Sequence, residues 1–243
     1  MPLYPLISLA LPTWNSSPIL WLALEGLCNQ KTQYPWELIV CEDPSEKFSG
    51  KEYFTPYMGR LKEAGCVNFK FIDLDVWVPL SYKWKILADY ISTENFLLVA
   101  SDNYSPPDRI EITYEALQQH DWVDWSEGLF VNLNNFEQAK WVRPDKNKTG
   151  LYMGTKTSFI KELQPPYPLR GIDGWIRDQR NITNRYHISS FPLGIHTDGA
   201  NNISHHRKNH YTDPKSPFVP FLDNLEEVIP LRILDKLKQQ FNS

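Results

Sequence analysis

Phe96-Leu97-Leu98-Val99-Ala100-Ser101-Asp102-Asn103-Tyr104 is an apolar run that ends abruptly in a polar cluster with one carboxylate. The same junction recurs upstream. Leu6 to Leu11 runs into Pro12-Thr13-Trp14-Asn15, Leu38 to Cys41 into Glu42-Asp43-Pro44-Ser45, and Phe69 to Ile72 into Asp73. Short apolar runs of this kind read as buried parallel strands. Parallel strands that deliver polar groups at their carboxyl ends line a ligand crevice along one edge of an α/β sheet. Acidic groups on that edge suit a divalent cation and the ribose or base of a nucleotide better than a bare phosphate.

Helical patterns fill the intervals. Ser17 and Pro18 read as the cap and first position of a helix whose buried stripe is Leu20, Ala23, Leu24, Leu27 and Cys28. The other strands are expected over Trp36–Cys41, Val67–Ile72 and Asn95–Ala100. Tyr82–Ile91 carries Trp84, Leu87 and Ile91 at helical spacing, and Pro106-Pro107 starts another helix with Ile110, Tyr114 and Leu117 inward. This alternation predicts a mostly parallel sheet covered on both faces. Beyond residue 120 the pattern changes. One or two strands are expected over Trp122–Leu133, a polar loop over Arg143–Thr149 and a short helix over Thr155–Leu163. Ile172–Gln179 reads as a helix, Tyr186–Phe191 as a strand, and Thr197–Pro217 as a loop. An amphipathic helical tail follows over Leu222–Phe241, broken at Pro230. A single domain is the simplest division, with residues 1–120, 121–217 and 218–243 as its parts.

The 243 residues are 42% hydrophobic, enough for one large α/β core. A net charge of -4 argues against a broad nucleic-acid surface. The three cysteines, Cys28, Cys41 and Cys66, are odd in number and lie in or beside core elements, so they read as reduced residues of a cytoplasmic protein. The N-terminus lacks the pattern of a signal peptide, and no window reaches the roughly 18 apolar residues of a membrane span. The sequons at Asn15, Asn103, Asn147, Asn181 and Asn202 therefore read as chance matches.

Five motifs, in order over residues 5 to 205, resemble those of GT-A-fold glycosyltransferases of the family 2 type. Ile7-Ser-Leu-Ala-Leu-Pro-Thr-Trp-Asn15 is similar to that family's first strand and its Pro-Thr-Tyr-Asn. Val40-Cys-Glu-Asp-Pro-Ser45 resembles Val-Asp-Asp-Gly-Ser. Leu97 to Pro107 resembles the strand plus Asp-x-Asp-Asp-Tyr. Gly171-Ile-Asp-Gly-Trp-Ile-Arg177 resembles Gly-Glu-Asp-Trp-Asp-x-x-x-Arg, and Gly194 to Asn202 resembles Tyr-Arg-x-His. The resemblance implies a mostly parallel central sheet flanked by helices, with a smaller acceptor-side β region and a C-terminal helix.

It also implies roles. Asp102 would hold Mn2+ or Mg2+ against the donor diphosphate, aided by His196, because a departing nucleoside diphosphate develops negative charge that a divalent ion neutralises. Two departures stand out: Ala100 replaces the first acid of the motif, and Asn103 follows Asp102. Glu42 and Asp43 would read the nucleoside, with Pro12, Thr13, Trp14, Asp73, Lys83 and Ser101 as further donor contacts. Asp173 would act as the base that takes the acceptor hydroxyl's proton during an inverting displacement. Ile172 stands where the family has a partner Glu. Trp125, Tyr152, Gly171 and Trp175 would line the acceptor side, where sugar C–H faces stack on aromatic rings. The expected donor is a nucleotide-sugar, UDP-linked by preference, and the acceptor a glycan or glycoconjugate, either soluble or reached by peripheral membrane contact through the C-terminal helix.

Plainer readings accompany each role. Asp102 and Glu42-Asp43-Pro44-Ser45 are also good turn chemistry, and Asp173 a good helix-start residue. A sugar-phosphate nucleotidyltransferase would need a glycine-rich, basic loop after the first strand, which Pro12-Thr-Trp-Asn-Ser-Ser17 lacks. A non-catalytic nucleotide- or glycan-binding protein is the alternative that Ala100 and Ile172 leave open.

Overall fold

The computed structural model describes residues 4–14, 18–45, 50–125, 128–132, 139–142, 151–169, 171–188, 195–198, 218–219 and 230–241. In chain order the elements are β1 (Ile7–Thr13), α1 (Leu20–Cys28), β2 (Trp36–Glu42), a 3-10 segment (Gly50–Tyr57), α2 (Met58–Glu63), β3 (Cys66–Asp73), α3 (Leu80–Tyr90), β4 (Asn95–Leu98) and β5 (Asn103–Tyr104). Then come α4 (Arg109–Leu117), β6 (Trp122–Trp125), β7 (Gly128–Asn132), β8 (Ala139–Val142), β9 (Leu151–Lys156), α5 (Thr157–Lys161), α6 (Ile172–Gln179), β10 (Arg185–Ile188), β11 (Ile195–Asp198), β12 (Phe218–Val219) and α7 (Leu231–Phe241).

Seven strands form the central sheet in the order β10-β6-β9-β4-β1-β2-β3. Only β9 runs against the rest. β1 and β2 are buried along their whole length, as expected of strands covered on both faces. Leu9, Leu11, Leu38 and Val40 pack beneath Leu20, Leu24 and Leu27 of α1 on one face. Ala10, Ile39 and Cys41 meet Trp84 and Leu87 of α3, with Ile172 and Ile176 of α6 in the same cluster, on the other. A second sheet of five short strands, β12-β8-β7-β11-β5, stands beside the first.

Three expectations change. Residues 151–156 form the antiparallel strand β9, and the helix expected from Thr155 begins only at Thr157. β11 (Ile195–Asp198) ends inside the segment expected to be a loop, covering Thr197 and Asp198. The C-terminal helix, expected to offer peripheral membrane contact, turns most of its apolar stripe inward. Its Ile233, Leu234 and Leu237 are buried. The Trp21 indole N–H of α1 donates to Gln240 at 2.8 Å, and the Lys236 ammonium lies 4.1 Å from the centre of the Trp21 ring. Most of the stripe that would meet a lipid surface is already spent. Among the described residues no helix is long and apolar enough to cross a membrane. Ser17, the Arg143–Thr149 segment and most of the Thr197–Pro217 segment lie outside the described residues.

Candidate functional site at the carboxyl edge of the sheet

The parallel register of β1, β2 and β3 sets Thr13, Glu42 and Asp73 side by side at their carboxyl ends. Thr13 and Glu42 are buried and Asp73 is exposed. Two atoms on this edge lack the partners that buried polar groups ordinarily have. The Thr13 Oγ1 and the Glu42 Oε1 find no hydrogen-bond partner among the described residues. Burial, reinforced by the Asp73 charge, pushes the Glu42 carboxyl up to about 8. At neutral pH it is therefore largely protonated and can both donate and accept. Pro12 is buried in β1, while Trp14, just past it, is 44% exposed and offers a ring face.

Asp43 and Lys83 do something other than expected. Both are buried, and the Lys83 ammonium sits 2.5 Å from the Asp43 carboxylate. It also donates to the Thr13 carbonyl at 2.8 Å. The other Asp43 oxygen accepts the Val78 N–H at 3.2 Å. Burial draws the Lys83 ammonium down, and the Asp43 hydrogen bond opposes this. A cation and an anion so engaged spend much of their bonding capacity on the framework. They bolt together the ends of β1 and β2, the start of α3 and the segment after β3. That segment carries Val76 and Trp77, 64% and 54% exposed beside the crevice. Sequence reasoning passed over them, although an apolar Val76-Trp77-Val78 between Asp75 and Pro79 is an unusual loop composition.

Ser101 and Asp102 form a half-buried turn between β4 and β5. Opposite β5, strand β11 brings the backbone of His196 level with Asn103. His196 is thus paired with the residue that follows Asp102 rather than with Asp102 itself; the His196 side chain lies outside the described residues. Asp173 is half-buried in the first turn of α6, which starts from Gly171 in the left-handed region (φ 64°) that favours glycine. Trp175 packs edge-on against Tyr167, with ring centres 5.9 Å apart. Ile172, in place of the partner acid, points into the core.

Two expected acceptor contacts are core residues instead. Trp125 is fully buried and Tyr152 nearly so, T-stacked with centroids 6.1 Å apart, so neither presents a face to a sugar. Their strands turn these rings toward α4, into a cluster with Leu117, Val123 and Ile188.

Among the described residues no group of three or more His, Cys, Asp or Glu forms a metal cage. The donor chemistry still fits. Mg2+-type sites commonly use one or two carboxylates and take their remaining ligands from substrate phosphates and water. Asp102 would supply one such carboxylate.

Known structures share this architecture. The fragment of S. aureus TarS comprising residues 1–349 superposes with a TM-score of 0.60 over 79% of this chain and 60% of that one, at 16% identity. The same fragment in complex with UDP gives 0.61 over 80% and 61%, at 16% identity. This is the GT-A fold. Another GT-A neighbour, the mannosyltransferase PcManGT from Pyrobaculum calidifontis in complex with GDP-Man and Mn2+, covers 84% of this chain and 60% of its own, with a TM-score of 0.56 and 14% identity. A stretch of 41 residues is 46% identical to chondroitin synthase of Escherichia coli, covering 17% of this chain and 6% of that protein. The chain thus spans well under two thirds of these relatives' lengths. No protein-family model matches it.

Proposed function

We propose that the protein is a glycosyltransferase that moves a sugar from a nucleotide-sugar, UDP-linked by preference, to a hydroxyl of a glycan or glycoconjugate with inversion. The observation that carries this reading is the pair of buried, unsatisfied atoms, Thr13 Oγ1 and Glu42 Oε1, at the carboxyl edge of a GT-A sheet. A nucleoside offers the ribose hydroxyls and base N–H groups that such atoms need. The fold's likeness to TarS in complex with UDP supports the same crevice.

In this reading Glu42 and Thr13 hold the nucleoside, with Pro12, Trp14, Asp73, Ser101 and Trp77 around it. Asp43 and Lys83 set the shape of the pocket. Asp102, one residue before the Asn103 that pairs with His196, would hold Mn2+ or Mg2+ together with His196, and the ion when bound would supply charge neutralisation at the leaving diphosphate. Asp173 accepts the acceptor hydroxyl's proton as that oxygen attacks the anomeric carbon and the nucleoside diphosphate departs. Gly171 and Trp175 flank the acceptor. The three free cysteines support a reducing compartment, the cytoplasm, as its location.

The test is a thermal-shift screen against UDP-, GDP- and TDP-sugars, with and without Mn2+, followed by a transfer assay. A ligand that binds only the folded state raises the melting temperature. A Mn2+-dependent shift with one nucleotide class, lost in Asp102→Ala, is the expected result. Ala100 and the inward-facing Ile172 favour a second reading, a nucleotide-binding protein without turnover. It predicts a shift with no transfer and no effect of Asp173→Asn. No shift with any donor sinks both.

A further inference from the structure

The Asp102 turn is held from behind by a group the reaction does not touch. Arg109, at the start of α4, is 1% exposed and makes no ion pair among the described residues. Burial lowers its pKa to about 10, so it stays charged at neutral pH. A buried guanidinium without a carboxylate is costly unless its donors are used. One arm donates to the Leu98 carbonyl at 2.5 Å, where β4 ends. The other donates to Ser105 Oγ at 2.7 Å, just past β5. The two bonds therefore pin both ends of the segment that carries Ser101, Asp102 and Asn103.

Its face covers the Tyr152 ring, 4.8 Å from the centroid. Tyr152 senses both charges: burial raises its hydroxyl, Arg109 draws it down and Asp102 raises it again. Helix α1 backs the same segment. The Gln30 amide donates to the Pro106 carbonyl at 2.6 Å and accepts the Ile110 N–H at 3.1 Å. A Cβ on Gly26 would stand 2.6 Å from the Ser105 backbone nitrogen, so the helix and the segment touch backbone to backbone.

We propose that Arg109 is a positioning residue that fixes the Asp102 turn for the donor diphosphate. The proposal rests on the glycosyltransferase reading. With Ala100 in place of a second acid, Asp102 has no neighbouring carboxylate in its motif to share the work, so its placement matters more. Misplacing a reactive group by about 1 Å costs on the order of 100-fold in rate.

The experiment compares wild type, Arg109→Met, Arg109→Lys and the milder Ser105→Ala, each with and without Asp102→Asn. Readouts are kcat and KM for the donor, the Mn2+ concentration giving half-maximal rate, and amide hydrogen exchange of residues 99–105. Arg109→Met is expected to lower kcat/KM on the order of 100-fold. It should raise the Mn2+ requirement roughly tenfold and speed exchange in 99–105 while α4 stays protected. Arg109→Lys should recover part of the loss, and Ser105→Ala should shift the same readouts less. On the Asp102→Asn background the Arg109 effect should vanish, because groups acting through one another are not additive. Additive losses, or a lowered melting temperature with unchanged kinetics and exchange, overturn the proposal. If Arg109→Met does not fold, Ser105→Ala decides by the same criteria. Wild type that turns over no donor removes the proposed function. The exchange readout needs no activity and then decides alone: faster exchange supports the assignment, unchanged exchange overturns it.

Discussion

Strand β2 carries a buried glutamate at each end, and the two are treated oppositely. Glu37, at the amino end, is fully satisfied: Ser92 donates to it from its backbone N–H at 3.0 Å and its hydroxyl at 2.8 Å, Asn68 donates at 2.9 Å, and Ser8 adds a further hydroxyl. Glu42, at the carboxyl end, keeps one oxygen buried without a hydrogen-bond partner among the described residues, and its carboxyl is pushed up to about 8. A satisfied carboxylate ties strands together. An unsatisfied one is tolerated where a ligand supplies what the fold does not. On one strand the two ends set a satisfied glutamate against one that the proposed function assigns to the donor.

The largest effect should come from a residue that lies at the site end but belongs to the framework. Lys83→Met leaves Asp43 charged and buried, and should cost about 4 kcal/mol in chemical denaturation. A loss near zero would mean that Asp43 is reached by water and that the pair belongs to the donor site after all. Glu37→Ala follows, at about 3 kcal/mol, because it strips partners from Ser8, Asn68 and Ser92. Nucleotide affinity should not change in the fraction that folds.

Glu42→Gln should behave in the reverse manner. A carboxyl whose pKa is higher in the fold than its usual 4.5 holds its proton more tightly when folded. Its contribution is complete below 4.5 and is lost as pH rises through about 8. Wild type should therefore lose stability relative to Glu42→Gln between roughly pH 5 and 9. Nucleotide binding should weaken in the variant. Parallel stability curves would show that Glu42 is solvated and end the contrast. The smallest effect belongs to Lys85, two residues from Lys83, whose exposed pair with Asp89 at 2.7 Å should be worth under about 0.5 kcal/mol when Lys85→Ala is melted.

Much of this was readable in the sequence. The apolar runs and the acids behind them located β1 to β4 and the crevice edge, because a buried strand leaves no room for polar residues until it ends. Lys83 and Lys85 looked alike in Ser81-Tyr-Lys-Trp-Lys85, since helix spacing does not say which lysine meets a buried carboxylate. Trp125 and Tyr152 had the right chemistry for a sugar platform. Their facing depends on β9 entering between β4 and β6, a pairing over long chain separation that local pattern does not encode. Arg109 follows Asp108 at a helix start and reads as a solvated pair. Glu37 did leave a signal. A lone carboxylate inside Trp36-Glu-Leu-Ile-Val-Cys-Glu42 has to be buried, and therefore has to be paired.

The placement of β9 also has a consequence in time. β1, β2, β3 and β4 are complete once residue 98 has been made, but the neighbour of β4 on its other side is β9, which ends at Lys156. At synthesis rates of about 5–20 residues per second, β4 waits roughly 3–12 s with one row of backbone groups bare. β6 emerges in that interval with its own partner not yet built. The nascent chain thus presents the open edge of β4 and both edges of β6 at once, and that is the interval in which a ribosome-bound chaperone would matter most to this protein.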